Sequence, residues 1–357
     1  MPRKSKTKQQ DRSIENLKES LKEYNGIVTR LQAIDKVKKA PLRIKKGISS
    51  KMGREEKRVL LRDKVNEACK TDAYGDIDKL IGLTHRSYNQ YKALPSAEYN
   101  THEYITAQAS DLFRLDPDTA KTLLEYCTFP DDSKSDMCDL MFEGHFYGKT
   151  DTGVPGNFLV DMFSAGVLTV MEACKKFKYG NDEDIHEHAV MNFTRYYNQF
   201  LTVDSVELKH FYLGVAAHFL QDLTAPHHAG NYPAVPYVDH CFFEKFTSKY
   251  VYDDPKFKIS RAAYNNVKKK MASSPAQPES FALEVTGMAT PCIKYIESDS
   301  HARTAGKKRS ARSMDAEIDT LNRSLLSGKN EKWEKAIVGA VPLAVYATAY
   351  LFETALT

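Results

Sequence analysis

Apolar positions recur at steps of three and four over three long stretches in the middle of the chain. They are FLVDMFSAGVLTVMEACKKFK (158–178), HEHAVMNFTRYYNQFL (186–201) and VELKHFYLGVAAHFLQDL (206–223). That period is the helical one, so each stretch predicts an amphipathic helix, and the polar breaks between them mark connections. Short alternating runs separated by turn clusters, the mark of an all-β chain, are missing, and Gly and Pro are sparse at 17 and 14 of 357 residues. The body is therefore expected to be all-α, a multi-helix bundle. Nearer the front, Ile14, Leu17, Leu21, Tyr24, Val28 and Leu31 fall on one helical stripe that ends before Pro41, and REEKRVLLRDKVNEACK (54–70) repeats the style. Near the far end, AIVGAVPLAVYATAYLF (336–352) runs 17 residues without a charge. It is shorter than the ~20 residues a bilayer requires and contains Pro342, so a buried core helix is the expectation.

Charge divides the chain where hydropathy does not. Residues 1–70 hold 21 Lys and Arg against 9 Asp and Glu, whereas the remainder holds 30 against 38. A basic helical N-terminal extension (1–95) joined to a mildly acidic body (96–357) accounts for the split. The first 20 residues are basic but contain no apolar run and no small-residue cleavage site, so no secretory signal peptide is expected and synthesis is cytoplasmic. Six scattered cysteines without a CxxC pair fit reduced thiols in a large domain.

Candidate chemistry concentrates in HFLQDLTAPHHAGNY (218–232), which carries three of the chain's 11 histidines. His218 and Asp222 are four apart on a predicted helix and emerge from one face a turn apart. Pro226 is expected to stop that helix and leave His227 and His228 in the following turn. Downstream, DHCFFEKF repeats the four-residue spacing with His240 and Glu244. A histidine taken alone is more often a core or surface residue than a ligand, but two such pairs supply the mixed nitrogen and oxygen donors that suit zinc.

HFLQDLTAPHHAGNY followed by HCFFE resembles the signature of the zinc-dependent phospholipases C, a family related to the S1/P1 single-strand nucleases. THEYI with His102, FPDD with Asp131 and FEGHFYG with His145 match the remaining ligands of that family in order. The resemblance covers residue 95 onward and implies a helical bundle of the phospholipase C/P1 nuclease type with two to three zinc ions. It implies one zinc on Asp131, His145, His218 and Asp222, a second on His228, His240 and Glu244, and a third sharing Asp222 and using His102. Asp132 and His227, each adjacent to a matched position, are expected as supporting or surface residues. Asp131 is also the candidate proton acceptor for an attacking water. Phe142 matches an aromatic that helps hold a choline headgroup, while Asp132 stands where the choline-binding pattern has tyrosine. Asp132 and Phe142 are thus the candidate substrate contacts, with the headgroup open.

In secreted members of the family the third zinc is completed by an N-terminal tryptophan. Here the single tryptophan is Trp333, and some 100 residues precede His102. An altered third site is therefore expected: weak or absent, completed after proteolysis, or using His85 in GLTHRSYN. Glu244, where the nuclease branch has aspartate, favours a phospholipase C that cleaves the glycerol–phosphate bond to diacylglycerol and a phosphorylated headgroup. The alternative is a zinc nuclease acting on single-stranded nucleic acid, to which the basic extension would add phosphate contacts. The expected partners are a phospholipid or membrane surface and, through the extension, a secretion machinery that delivers the enzyme by a non-classical route to another cell or compartment as an effector or toxin.

Overall fold

The computed structural model describes residues 100–131, 144–147, 189–230, 232, 239–253, 255–296 and 311–357, with scattered positions between 14 and 63. Every regular element among them is helical, as expected for an all-α chain. In chain order they are α1 (Thr101–Phe113), α2 (Pro117–Tyr126), a 3-10 turn (Phe129–Asp131), α3 (Ala189–Thr202), α4 (Val206–Asp222) and the single-turn α5 (Pro226–Ala229). They continue with α6 (Asp239–Asp253), α7 (Arg261–Lys270), α8 (Pro278–Ala289), a second 3-10 segment (Thr290–Tyr295), α9 (Ala311–Ser327) and α10 (Glu331–Leu356). The predicted helix over 158–178, the boundary near residue 95, and the candidates His85, Asp132 and Phe142 lie outside the described residues.

α4 is the axis of the bundle. Ser205 caps its start by accepting a hydrogen bond from the Leu208 amide, and Glu207 sits favourably in the first turn against the helix dipole. Its first two turns are partly exposed, but from Leu213 to Asp222 every residue is buried. A helix apolar on all sides belongs at the centre of a bundle, and α4 packs against α1, α2, α3 and α10. This burial brings His218, Gln221 and Asp222 into the interior within an otherwise apolar run.

α10 is the second long core helix. Its 26 residues run through Pro342 without interruption, and Ile337, Val341, Ala344, Val345 and Phe352 are buried. Though long and apolar enough to cross a membrane, most of its apolar window lies inside the protein, packed on α1 and α4. The buried aromatics Phe193, Phe242, Phe246, Phe281 and Phe352 anchor the same core, each contributing about 1.5–3 kcal/mol by removal from water.

At the front, the described positions among 14–27 are helical, and Ile14 and Ile27 are buried in the main apolar core. Lys18 lies 3.9 Å from Asp319 of α9.

One local expectation is corrected. Pro226 does not stop the preceding helix, which has already ended at Asp222. The Ala225 amide donates back to Asp222 and the Thr224 hydroxyl to the Gln221 carbonyl, turning the chain. Pro226 then opens α5, where a missing N–H costs nothing and its fixed φ suits a first helical position. His227 and His228 are thus helical residues.

Candidate metal centre

α1 brings His102 in its first turn, fixed by a reciprocal cap in which Asn100 accepts from the Glu103 amide and the Glu103 carboxylate accepts from the Asn100 amide. Asp131 ends the 3-10 turn after α2. α4 supplies His218 and Asp222 one turn apart, with Nε2 and Oδ2 3.2 Å from each other. α6 supplies His240 and Glu244 at the same spacing, 2.9 Å apart.

His145 and His228, 83 residues apart, are tied by a pair of hydrogen bonds. The Tyr147 amide donates to the His228 carbonyl at 3.1 Å, and His228 Nδ1 donates to the His145 carbonyl at 2.9 Å. Phe146 stacks on the His228 ring at 4.8 Å.

All eight residues expected as ligands from the resemblance converge. Four groups have donor atoms within 4.8 Å of one another: His102, His218 and Asp222; Asp131, His145 and His218; His145, Asp222 and His228; and His228, His240 and Glu244. Asp222 is the hub, with His145 Nδ1 at 2.5 Å from one oxygen and His102 Nε2 at 3.5 Å from the other. The first and last groups follow the two spacing pairs visible in the sequence, while the middle groups depend on His145.

The ring nitrogens that face away from the cluster fix its chemistry. His218 Nδ1 donates to the Cys127 carbonyl (2.8 Å), His228 Nδ1 to the His145 carbonyl and His240 Nδ1 to the Tyr232 carbonyl (2.7 Å). A carbonyl only accepts, so each Nδ1 holds a proton and each Nε2 presents its lone pair inward when the ring is neutral. His102 Nδ1 meets Gln221 Oε1 at 2.8 Å, and Gln221 in turn donates to Thr106. Such anchoring by the outer nitrogen is the arrangement found behind metal-binding histidines, where it fixes tautomer and ring direction.

Electrostatics favour the same reading. Burial works against charge on Asp222 and Glu244, yet the surrounding histidines hold both carboxyls well below their usual range. Burial likewise opposes a proton on His228, but Asp222 and Glu244 overcome it and push its pKa up to about 9. Asp131 is lowered too, because His218, His145 and His102 outweigh burial. His102 goes the other way, lowered by burial and by neighbouring His218, whose ring stacks on it at 4.1 Å. Metal-free, the buried carboxylates Asp222 and Glu244 are held ionised by their histidine neighbours, and His228 keeps a proton. A cation at the same place would replace that proton.

Residues absent from the sequence-based set complete the picture. Gln221, the Cys127 carbonyl and the Tyr232 carbonyl orient ligands, and only Gln221 left a trace in the sequence, as a polar residue in a buried apolar run. His227 is buried, not on the surface: it faces Asp239 at 3.2 Å and its ring stacks on His240 at 4.7 Å. Burial lowers its pKa to about 4. Trp333 packs against Phe243 and Phe246 in the core.

The cluster opens on a cavity of about 480 Å³ whose lining mixes donors and apolar groups. His102, Asp131, His145, Asp222, His228 and Glu244 line it, and so do Ile105, Cys241, Phe243, Ile337, Ala340 and Val341. Asp131 and Glu244 remain 24% and 42% exposed as side chains, against 3% for Asp222.

Histidines and carboxylates clustered beside a partly apolar cavity, in a bundle that is all-helical among the described residues, make up the donor set of a metal-dependent protein. The chain belongs to the zinc-dependent phospholipase C family, whose pattern it matches over residues 101–330. Zinc dependence and a hydrolase's chemistry come with that membership. Among curated proteins and solved structures nothing matches this chain.

Proposed function

We propose that this protein hydrolyses the glycerol–phosphate ester of phospholipids, releasing diacylglycerol and a phosphorylated headgroup. The observation that carries this reading is the cavity, whose lining combines apolar residues of α1, α6 and α10 with the donor cluster. A phosphate at the cluster leaves the glycerol end of the lipid to be taken up by those apolar residues, at about 25 cal/mol for each Å² of apolar surface removed from water. A single-strand nuclease would be served better by aromatic platforms and cationic grooves.

The ligand assignment supporting this function places Asp131, His145, His218 and Asp222 on one zinc and His228, His240 and Glu244 on a second. His102 with Asp222 offers a third position. Bound zinc would lower the pKa of a water and neutralise charge on the phosphate. Asp222, buried at the hub, holds the donors in register. Asp131, ionised and facing the cavity, accepts the proton of the attacking water. The water oxygen bonds to phosphorus, the bond from phosphorus to the glycerol oxygen breaks, and that oxygen takes up the proton that Asp131 accepted.

The test sets phospholipid vesicles against single-stranded DNA and RNA, with zinc-loaded protein and with a chelator. Release of phosphorylated headgroup and diacylglycerol that stops on chelation is expected. His218→Ala should lower it by at least a hundredfold, since it removes a donor and leaves Asp222 without its partner on the helix. Degradation of nucleic acid without lipid hydrolysis would replace this reading by the nuclease one.

A further inference from the structure

We propose that Lys245 reads the headgroup, and that the preferred substrate is a phospholipid whose headgroup carries an anionic group beyond the scissile phosphate. The inference rests on the phospholipase reading above and concerns the same cavity. Cys241, Glu244, Lys245 and Ser248 are spaced three and four apart on α6, so they share one helix face, and all four line the cavity. The cavity's described carboxylates are already engaged: Asp131 and Asp222 with His102, and Glu244 with His228 and His240. The ion pairs of Lys256 with Glu334, Lys268 with Glu353 and Lys335 with Glu331 do not involve residues of the cavity beside the cluster. Among the described residues no carboxylate pairs with Lys245, so it brings an uncommitted positive charge to the lining of the cavity.

That charge repels a quaternary ammonium and attracts a carboxylate or phosphate on the headgroup. A lysine offers three donors on a flexible stem, which suits an anion whose position varies with headgroup size.

Two lipids that differ by a carboxylate alone test this. Short-chain phosphatidylserine and phosphatidylethanolamine, used as monomers below their micelle concentration, remove the charge of a lipid surface from the comparison. With the zinc-loaded full chain, kcat/KM is expected to favour the serine lipid by about tenfold, the size of one charge-assisted hydrogen bond. Lys245→Gln should erase the ratio, Lys245→Glu invert it and Lys245→Arg retain it, with zinc content unchanged in all three. Equal kcat/KM for the two lipids in the unaltered protein, or an equal loss on both in Lys245→Gln, overturns the assignment. Hydrolysis of the ethanolamine lipid alone, or of neither lipid while short-chain phosphatidylcholine is cleaved, overturns it while upholding the phospholipase reading; hydrolysis of none of the three overturns both.

Discussion

His102, His218, His228 and His240 are each aimed by what the outer nitrogen touches, so weak points of the site include groups that meet no substrate. Gln221 is the clearest. It holds His102 and is itself held by Thr106 and Thr348. Gln221→Leu keeps the volume but lets the ring turn, and should lower zinc affinity by about 10–100-fold, measured by competition against a chelating dye. Gln221→Glu, which can still accept from Nδ1, should recover part of the loss. His228 gives a prediction in pH. Its folded pKa of about 9 lies above the unfolded value of 6.5. In metal-free protein its proton therefore contributes stability that is complete below pH 6.5 and is lost as pH rises through about 9. Ligation requires the neutral ring, so zinc binding at pH 7 must expel that proton, and zinc's own contribution grows across the same window. Calorimetry in buffers of differing protonation enthalpy should report release of about one proton or more at pH 7, declining above pH 9. The gap in Tm between zinc-loaded and chelated protein should widen from pH 6.5 to 9; a constant gap would contradict the linkage.

At the scale of elements, the site depends on how closely α4 approaches the end of α2. Gly214 lies one turn before His218, and a methyl group there would sit 2.6 Å from Tyr126 Cβ and 3.1 Å from the Tyr126 backbone carbon. Backbone cannot swing aside, so Gly214→Ala must push α2 away from α4. The carbonyl moved with it is that of Cys127, the acceptor for His218 Nδ1. Overpacking of this kind costs about 1–3 kcal/mol, visible as a lower Tm, and here zinc affinity should fall with it. Nothing in VELKHFYLGVAAHFLQDL marked Gly214 as a contact, whereas the pairs His218/Asp222 and His240/Glu244 were legible because helical spacing alone puts them on one face. The link between His145 and His228 was not, since it runs through backbone groups 83 residues apart, whose positions only the assembled bundle defines. Pro226 misled for a related reason: it is as much at home in the first turn of a helix as just past the end of one, and the break was already made by Thr224 and Ala225.

The whole molecule poses the question of why a basic segment precedes an acidic hydrolase. Ile14 and Ile27 are buried in the same core as α4 and α10, so part of the segment is structural, and each contributes about 1.5–3 kcal/mol by burial. Every described residue lining the cavity lies at Asn100 or later, so the segment supplies none of them. Removing residues 1–70 should accordingly lower Tm by several degrees while kcat/KM on monomeric short-chain lipid stays within about twofold. The net +12 of that segment is set against −8 for the remainder, and it should act where charge is collective. Near an anionic bilayer each Lys or Arg adds about 1 kcal/mol, within a Debye length of about 8–10 Å at moderate salt. The full chain should therefore hydrolyse phosphatidylcholine vesicles doped with anionic lipid faster than the truncated one, with the advantage fading as salt rises and absent on purely zwitterionic vesicles. Equal rates for the two chains on both surfaces would remove membrane attraction from the segment's roles.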